Sequence, residues 1–241
     1  MKTIKKRISI ILTLMIVLVY SIPALAATAE TIPEDKIIQG DINVLQIRNT
    51  LNYIKEEFPE ANIDVDGYIK KAVKQYDMKK QGIVSSTNSY SPTTPIKTYR
   101  KIRDDGSAIE LNEYIYDIYE IRDCELGTKS GGPSTVTYKG SKVSVVNLNG
   151  MRFCSAWYYL DHTYRYAGGT GSVNRAYSFG STGNLFISFG NPRFTQTSGS
   201  AAEVLFDAFD TGLLDPSASS GTCALRFNAN NFSVTTRWGI A

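Results

Sequence analysis

Period-two alternation of apolar residues constrains the fold of this chain more than any other feature. Leu185, Ile187 and Phe189 alternate with their neighbours, as do Phe232, Val234, Thr236, Trp238 and Ile240. Successive side chains of a strand point to opposite faces, so each set lays one face against a core. Turn pairs punctuate the same region. Asp105-Gly106 sits between Tyr99–Arg103 and Ala108–Leu111, which signals a hairpin. Lys139-Gly140 and Asn149-Gly150 mark further turns, the second being the stronger hairpin signal, and Asn228–Asn231 joins the last two strands. Residues 114–121, dense in Tyr and Ile, read as strand.

Two helical stretches stand out from this pattern. In the first, Ile47, Leu51, Ile54 and Phe58 recur at helical spacing behind Asp41 as N-cap, and Pro59 stops the run. A second helix starts near Asp66, runs through Ile69, Ala72, Val73 and Tyr76, and ends near Gly82. A further helix is expected at 200–212. Ser200 and Glu203 have the capping-box spacing, Ala201, Val204, Leu205, Ala208 and Phe209 supply an apolar stripe, and Gly212 closes it. The expected fold class is therefore α+β: an N-terminal helical hairpin, then a mainly antiparallel β-sandwich or barrel with one inserted helix.

Composition divides the chain. Lys2, Lys5, Lys6 and Arg7 precede an apolar stretch from Ile8 to Val19, and Ala24-Leu25-Ala26 supplies small residues for cleavage after Ala26. Residues 1–26 thus read as a secretory signal peptide, and the apolar run is short for a spanning helix. No second long apolar run follows, so no membrane span is expected in the mature chain. Residues 82–97 are rich in Ser, Thr and Pro without a charge before Lys97, and read as a linker. The expected layout is signal peptide 1–26, helical accessory segment 27–81, linker 82–97 and β-rich domain 98–241.

Charge then narrows the partners. The signal segment holds four of the 26 Lys and Arg and none of the 23 Asp and Glu, so the mature chain has 22 basic against 23 acidic residues. A near-neutral protein has little pull on a phosphate backbone, which excludes nucleic acid as the default partner. Residues 127–241 carry nine basic and five acidic residues in a background of Ser, Thr, Gly, Asn and aromatics, which suits a neutral glycan. The three cysteines are Cys124, Cys154 and Cys223; outside the cell one pair is expected to oxidise, with Cys154–Cys223 favoured because both lie in core-like strands.

The sequence is poor in catalytic signals. His162 is the single histidine, which excludes a multi-histidine metal site, and no Gly-x-Ser-x-Gly or Ser-x-x-Lys motif occurs. Gly168-Gly169-Thr170-Gly171-Ser172 lacks the lysine of a phosphate loop and reads as a turn. Cys154 and His162 are eight residues apart, roughly 26 Å along one strand, and neighbouring Asp161 and His162 point to opposite faces. Were the protein a hydrolase, His162 with Asp161, or the acids Glu203, Asp207 and Asp210 on one helix face, would be the groups to test. Asn62, Asp64 and Asp66 followed by Gly67 open a calcium-loop pattern that lacks its acid at the twelfth position, where Val73 stands. No cofactor is expected.

The densest segment runs from Trp157 to Tyr166. Strand alternation puts Trp157, Tyr159 and Asp161 on one face and Tyr158, Leu160 and His162 on the other. One face must bury, and the other can leave rings with polar tips for stacking on sugars or for a protein contact. Trp157, Tyr159, Tyr164 and Tyr166 are the candidate ligand residues, and Tyr114, Tyr116 and Tyr119 form a second Tyr-rich stretch. The leading expectation is a secreted, non-enzymatic β-rich protein that binds a neutral glycan, a cell-envelope component or another extracellular protein. A secreted hydrolase, and an effector or toxin with a removable N-terminal pro-segment, are the alternatives.

Overall fold

The computed structural model describes residues 44–80, 94–115, 117–149, 152–183, 187–210 and 221–240, all within one compact unit, Ile37–Ala241. The signal segment, the Asp41 cap, most of the linker, Tyr116, Leu185 and Gly212 lie outside the described residues.

Helix α1 (Val44–Glu57) buries Val44, Ile47, Leu51 and Ile54, the stripe its spacing predicts. Pro59 has no N–H to continue the ladder, and a single tight turn, Pro59–Ala61, leads to Asn62 in the left-handed region. Helix α2 (Val65–Lys80) begins where the Gly67 N–H donates to Asp64 Oδ1 at 2.9 Å. Its buried face is Tyr68, Ile69, Ala72 and Tyr76. The Arg48–Asp66 ion pair, at 2.6 Å, ties the two helices.

Eleven strands follow among the described residues: β1 (Lys97–Ile102), β2 (Ala108–Tyr114), β3 (Ile118–Glu125), β4 (Thr128–Gly132), β5 (Thr135–Asn149), β6 (Arg152–Arg165), β7 (Thr170–Thr182), β8 (Ile187–Gln196), β9 (Ala201–Asp210), β10 (Gly221–Asn228) and β11 (Ser233–Ile240). All pair antiparallel, in a seven-stranded sheet ordered β1-β2-β3-β5-β6-β7 with β4 on β5, and a four-stranded sheet ordered β11-β10-β9-β8. Both paths have two free ends, so neither sheet closes into a barrel. One buried cluster draws on both sheets. It includes Val143, Val145, Tyr158 and Leu160 from the first and Ala202, Val204, Phe206 and Leu225 from the second. The Tyr158 hydroxyl donates to the Ala202 carbonyl at 3.0 Å and satisfies its one polar atom in that cluster.

The expected hairpins at Asp105-Gly106 and at Asn228–Asn231 are present. Asn149 ends β5 opposite Arg152, the first residue of β6. Three local expectations are corrected. Lys139-Gly140 is a bulge inside β5, where the register shifts between Tyr138 and Ser141 and Gly140 takes φ +70°. Residues 114–121 hold the end of β2, a turn with Asp117 at φ +57°, and the start of β3. The helix expected at 200–212 is strand β9. Ala202, Val204 and Phe206 are buried while Glu203, Leu205 and Asp207 are only partly so, a period-two pattern that coexists in this sequence with the helical one. Backbone pairing to β8 on one side and β10 on the other selects the strand.

The hairpin packs on the outward side of the first sheet. Tyr68 donates to the Leu148 carbonyl at 2.9 Å, Tyr53 donates to Asp123 Oδ2 at 2.9 Å, and the Tyr68 and Tyr119 rings are 5.9 Å apart. Arg103 also bonds Asp123 at 2.9 Å. Between the sheets, Glu120 is 1% exposed. Its carboxylate accepts from Tyr114 (2.8 Å), Arg122 (3.0 Å) and Trp238 Nε1 (3.0 Å), and from the Thr236 hydroxyl, so it joins β2 and β3 to β11.

Candidate functional site

Strand β6 separates the aromatic segment as its alternation predicts. Tyr158, Leu160 and His162 are fully buried toward the second sheet, while Trp157 and Tyr159 are half-buried on the outward side. Register then decides their neighbours. Trp157 stands opposite Gly180 and Ser144, and Tyr159 opposite Tyr177 and Lys142.

Trp157 rests on Gly180. A Cβ at position 180 would lie only 2.5–2.6 Å from Cε2, Cζ2 and Nε1 of the indole, so the bare backbone is what lets the ring lie down on the sheet. Lys142 Nζ sits 5.5 Å from the centroid of the same ring. The next row holds Tyr159 and Tyr177, near-parallel with centroids 6.4 Å apart. The row beyond is polar. Asp161 accepts from the Gly140 N–H (2.9 Å), from Arg175 Nε (2.7 Å) and from the Tyr177 hydroxyl (3.2 Å). Burial pushes the Asp161 carboxyl up, but the donors from Gly140, Arg175 and Tyr177 outweigh it and hold the group below the usual carboxylate range. Ser155–Thr182 and Thr137–Thr163–Asn174 hydrogen bonds bracket the stripe at its two ends. From Ser155 to Thr163 it extends about 26 Å at the usual strand rise. The hairpin's polar contacts with the sheet fall instead on Leu148, Asp117, Lys101, Arg103 and Asp123.

Tyr164 and Tyr166 are brought to a different place. Tyr164 packs on Phe232 (5.1 Å), and the Tyr166 hydroxyl bonds that of Tyr138 at 3.0 Å. Tyr164 lines an open recess of about 670 Å³ together with Arg100, Ile102, Asn230, Asn231 and Phe232. The four aromatic candidates thus form two pairs. Tyr114 and Tyr119 are both buried, the first on Glu120 and the second against the hairpin.

The groups singled out for catalysis are scattered. His162 is fully buried among the rings of Tyr138 (4.8 Å), Phe227 (5.2 Å) and Phe232 (5.5 Å), and neither ring nitrogen has a hydrogen-bond partner. Burial lowers its pKa from 6.5 to about 4, with a small opposing pull from Asp161, which faces the other way. Cys154 shares β6 with His162 at eight residues' distance. Glu203 and Asp207 lie at like parity on β9, not on a helix. Glu203 accepts from Thr195 (2.8 Å) and lies 3.6 Å from Arg226, while Asp207 is forked by Arg193 (2.7 and 3.0 Å). Those arginine bonds, with help from Asn191, hold Asp207 well below the usual range. Asp210 has the opposite parity on β9. Of the calcium-loop residues, Asp64 caps α2, Asp66 pairs with Arg48, and Asn62 ends the tight turn. No group of three or more His, Cys, Asp or Glu is placed to hold a metal among the described residues.

The expected Cys154–Cys223 bridge is not formed: all three cysteines are buried and none is in a disulfide. Cys223 stands opposite Phe206 within the core cluster, whereas Cys154 stands opposite Asn147 outside it. Burial raises the Cys223 thiol to about 11 despite the Gly239 backbone donor.

Sequence reasoning reached Trp157, Tyr159 and Asp161 but missed Lys142, Arg175, Tyr177 and Gly180. These sit on β5 and β7, and only the register brings them alongside β6. No family model matches the chain, and no curated protein or solved structure matches it either.

Proposed function

We propose that this protein is exported and acts, without catalysis, as a glycan-binding module, with its two sheets layered as a β-sandwich and the outward face of β6–β7 as its binding surface. The observation that carries this reading is the half-buried group of Trp157, laid on the sheet over Gly180, and the near-parallel Tyr159 and Tyr177, with hydroxyl and carboxylate groups beside it. Sugar rings present C–H faces that stack on such rings, and their hydroxyls bond to polar tips at the edges. A stripe about 26 Å long accommodates several residues of a linear polysaccharide. Export rests on the charged, apolar and small-residue segments of residues 1–26.

Co-sedimentation of the purified protein with cell walls and with insoluble polysaccharides tests the reading. Binding is expected, and Trp157→Ala is expected to weaken it while circular dichroism shows a folded variant. A folded variant that binds as well as the parent removes the aromatic face from consideration.

A further inference from the structure

The same face carries two cations placed where a ligand would sit. Arg175 is pinned before any ligand arrives. Its Nε donates to Asp161 at 2.7 Å, and its guanidinium lies 4.7 Å from the Tyr177 ring centroid. Asp161 is in turn fixed by Gly140 and Tyr177, and its side chain is only 9% exposed. Asp161 engages Nε, while the Arg175 side chain remains 67% exposed, so the terminal amino groups are left for another acceptor. Lys142 is the second cation. It rests on the Trp157 ring and has no ion pair among the described residues.

An arginine held by a carboxylate at one edge and by a ring below has little rotamer freedom left to lose when it bonds an anion. A lysine parked on the ring that a sugar would stack on is one that the ligand must displace or recruit. Both features favour a ligand that offers sugar rings and negative charge together. A uronic acid does so, because its carboxylate projects from the ring edge while the ring face stacks. The basic excess of residues 127–241, nine against five, agrees with this.

Building on the glycan reading above, we infer that the β6–β7 face takes a linear acidic polysaccharide, with uronate rings stacked on Trp157, Tyr159 and Tyr177 and uronate carboxylates bound by Arg175 and Lys142. This replaces the neutral glycan suggested by composition, because Arg175 and Lys142 join the face through register.

The test compares polygalacturonate with its fully methyl-esterified form, which keeps the rings and removes the charge, using the purified full-length mature protein in a titration calorimeter. The acidic form is expected to bind about tenfold or more tightly than the ester, as one to two charge-assisted contacts would give. Arg175→Gln and Lys142→Gln are expected to cost about tenfold each on the acidic form and so to narrow its advantage over the ester. Raising the salt should weaken the acidic form alone. Equal binding of acid and ester, unaffected by either variant, overturns the acidic assignment and leaves the glycan reading standing. Failure to bind these polymers, cell walls or insoluble neutral polysaccharides overturns both. Polyphosphate competing as well as polygalacturonate also overturns the inference, since it has no ring to stack.

Discussion

Replacing His162 by Phe should make the protein markedly less sensitive to acid. An unfolded chain binds a proton on this imidazole at its ordinary pKa of 6.5, but the folded chain resists until about pH 4. Between those values the unfolded state is the one that takes up the proton, so stability falls as pH falls. It is complete above about 6.5, declines through the window and levels off for this group below about 4. A gap of that size corresponds to about 3 kcal/mol, a large share of a typical domain's stability. The cause is visible in the cage: three aromatic rings surround a side chain whose two nitrogens have no partner, so the charged form gains nothing there to offset its lost hydration. Phenylalanine has a similar shape and does not titrate. Urea denaturation followed by tryptophan fluorescence at several pH values from 7.5 to 4 would give both curves. The carboxylates are common to the two proteins, so the difference isolates the imidazole. Parallel curves across the window, or a native-state His162 that titrates near 6.5 by NMR, would refute the argument.

Other consequences are open to the same instruments. Glu120→Ala leaves Arg122 with Glu110 as its remaining carboxylate and strips a buried partner from Tyr114 and Trp238, so a loss of about 1–3 kcal/mol is expected in denaturant titration; a loss near zero would show that the network is replaceable. Gly180→Val puts a side chain where the Trp157 ring lies, and should both cost about 1–3 kcal/mol and shift the tryptophan emission as the ring lifts. The three thiols should react with an alkylating reagent at pH 8 only after denaturation, since each is buried and Cys223 is pushed up to about 11. Rapid labelling of the folded protein would contradict that burial.

Much of this architecture was legible in local pattern. The spacing of Ile47, Leu51 and Ile54 specifies a helix, Pro59 its end, and the alternation from Trp157 to His162 the buried and outward faces of β6. Residues 200–212 misled because Ser200, Glu203 and the apolar residues after them satisfy helical and strand periods at once. A window of that length cannot see that β8 and β10 wait on either side. The candidate face was half legible for a related reason. Trp157 and Tyr159 announce themselves within one strand, but Arg175 gains its meaning from Asp161 fourteen residues away, and Gly180 from a ring on the next strand. Lys139-Gly140 carries turn chemistry, yet the chain spends it on a bulge, and the freed Gly140 N–H goes to Asp161.

The Glu120 junction also sets a timetable for biosynthesis. Its donors Thr236 and Trp238 lie 116 and 118 residues further along the chain. Until they arrive, the first sheet would have to bury a carboxylate still short of its partners, and water remains the better host for it. Closure of the core around Glu120 is therefore deferred until β11 is made, and a ribosome that releases the chain slowly holds it open. A frameshift that loses Thr236 and Trp238 would strike the centre of the protein, not its edge.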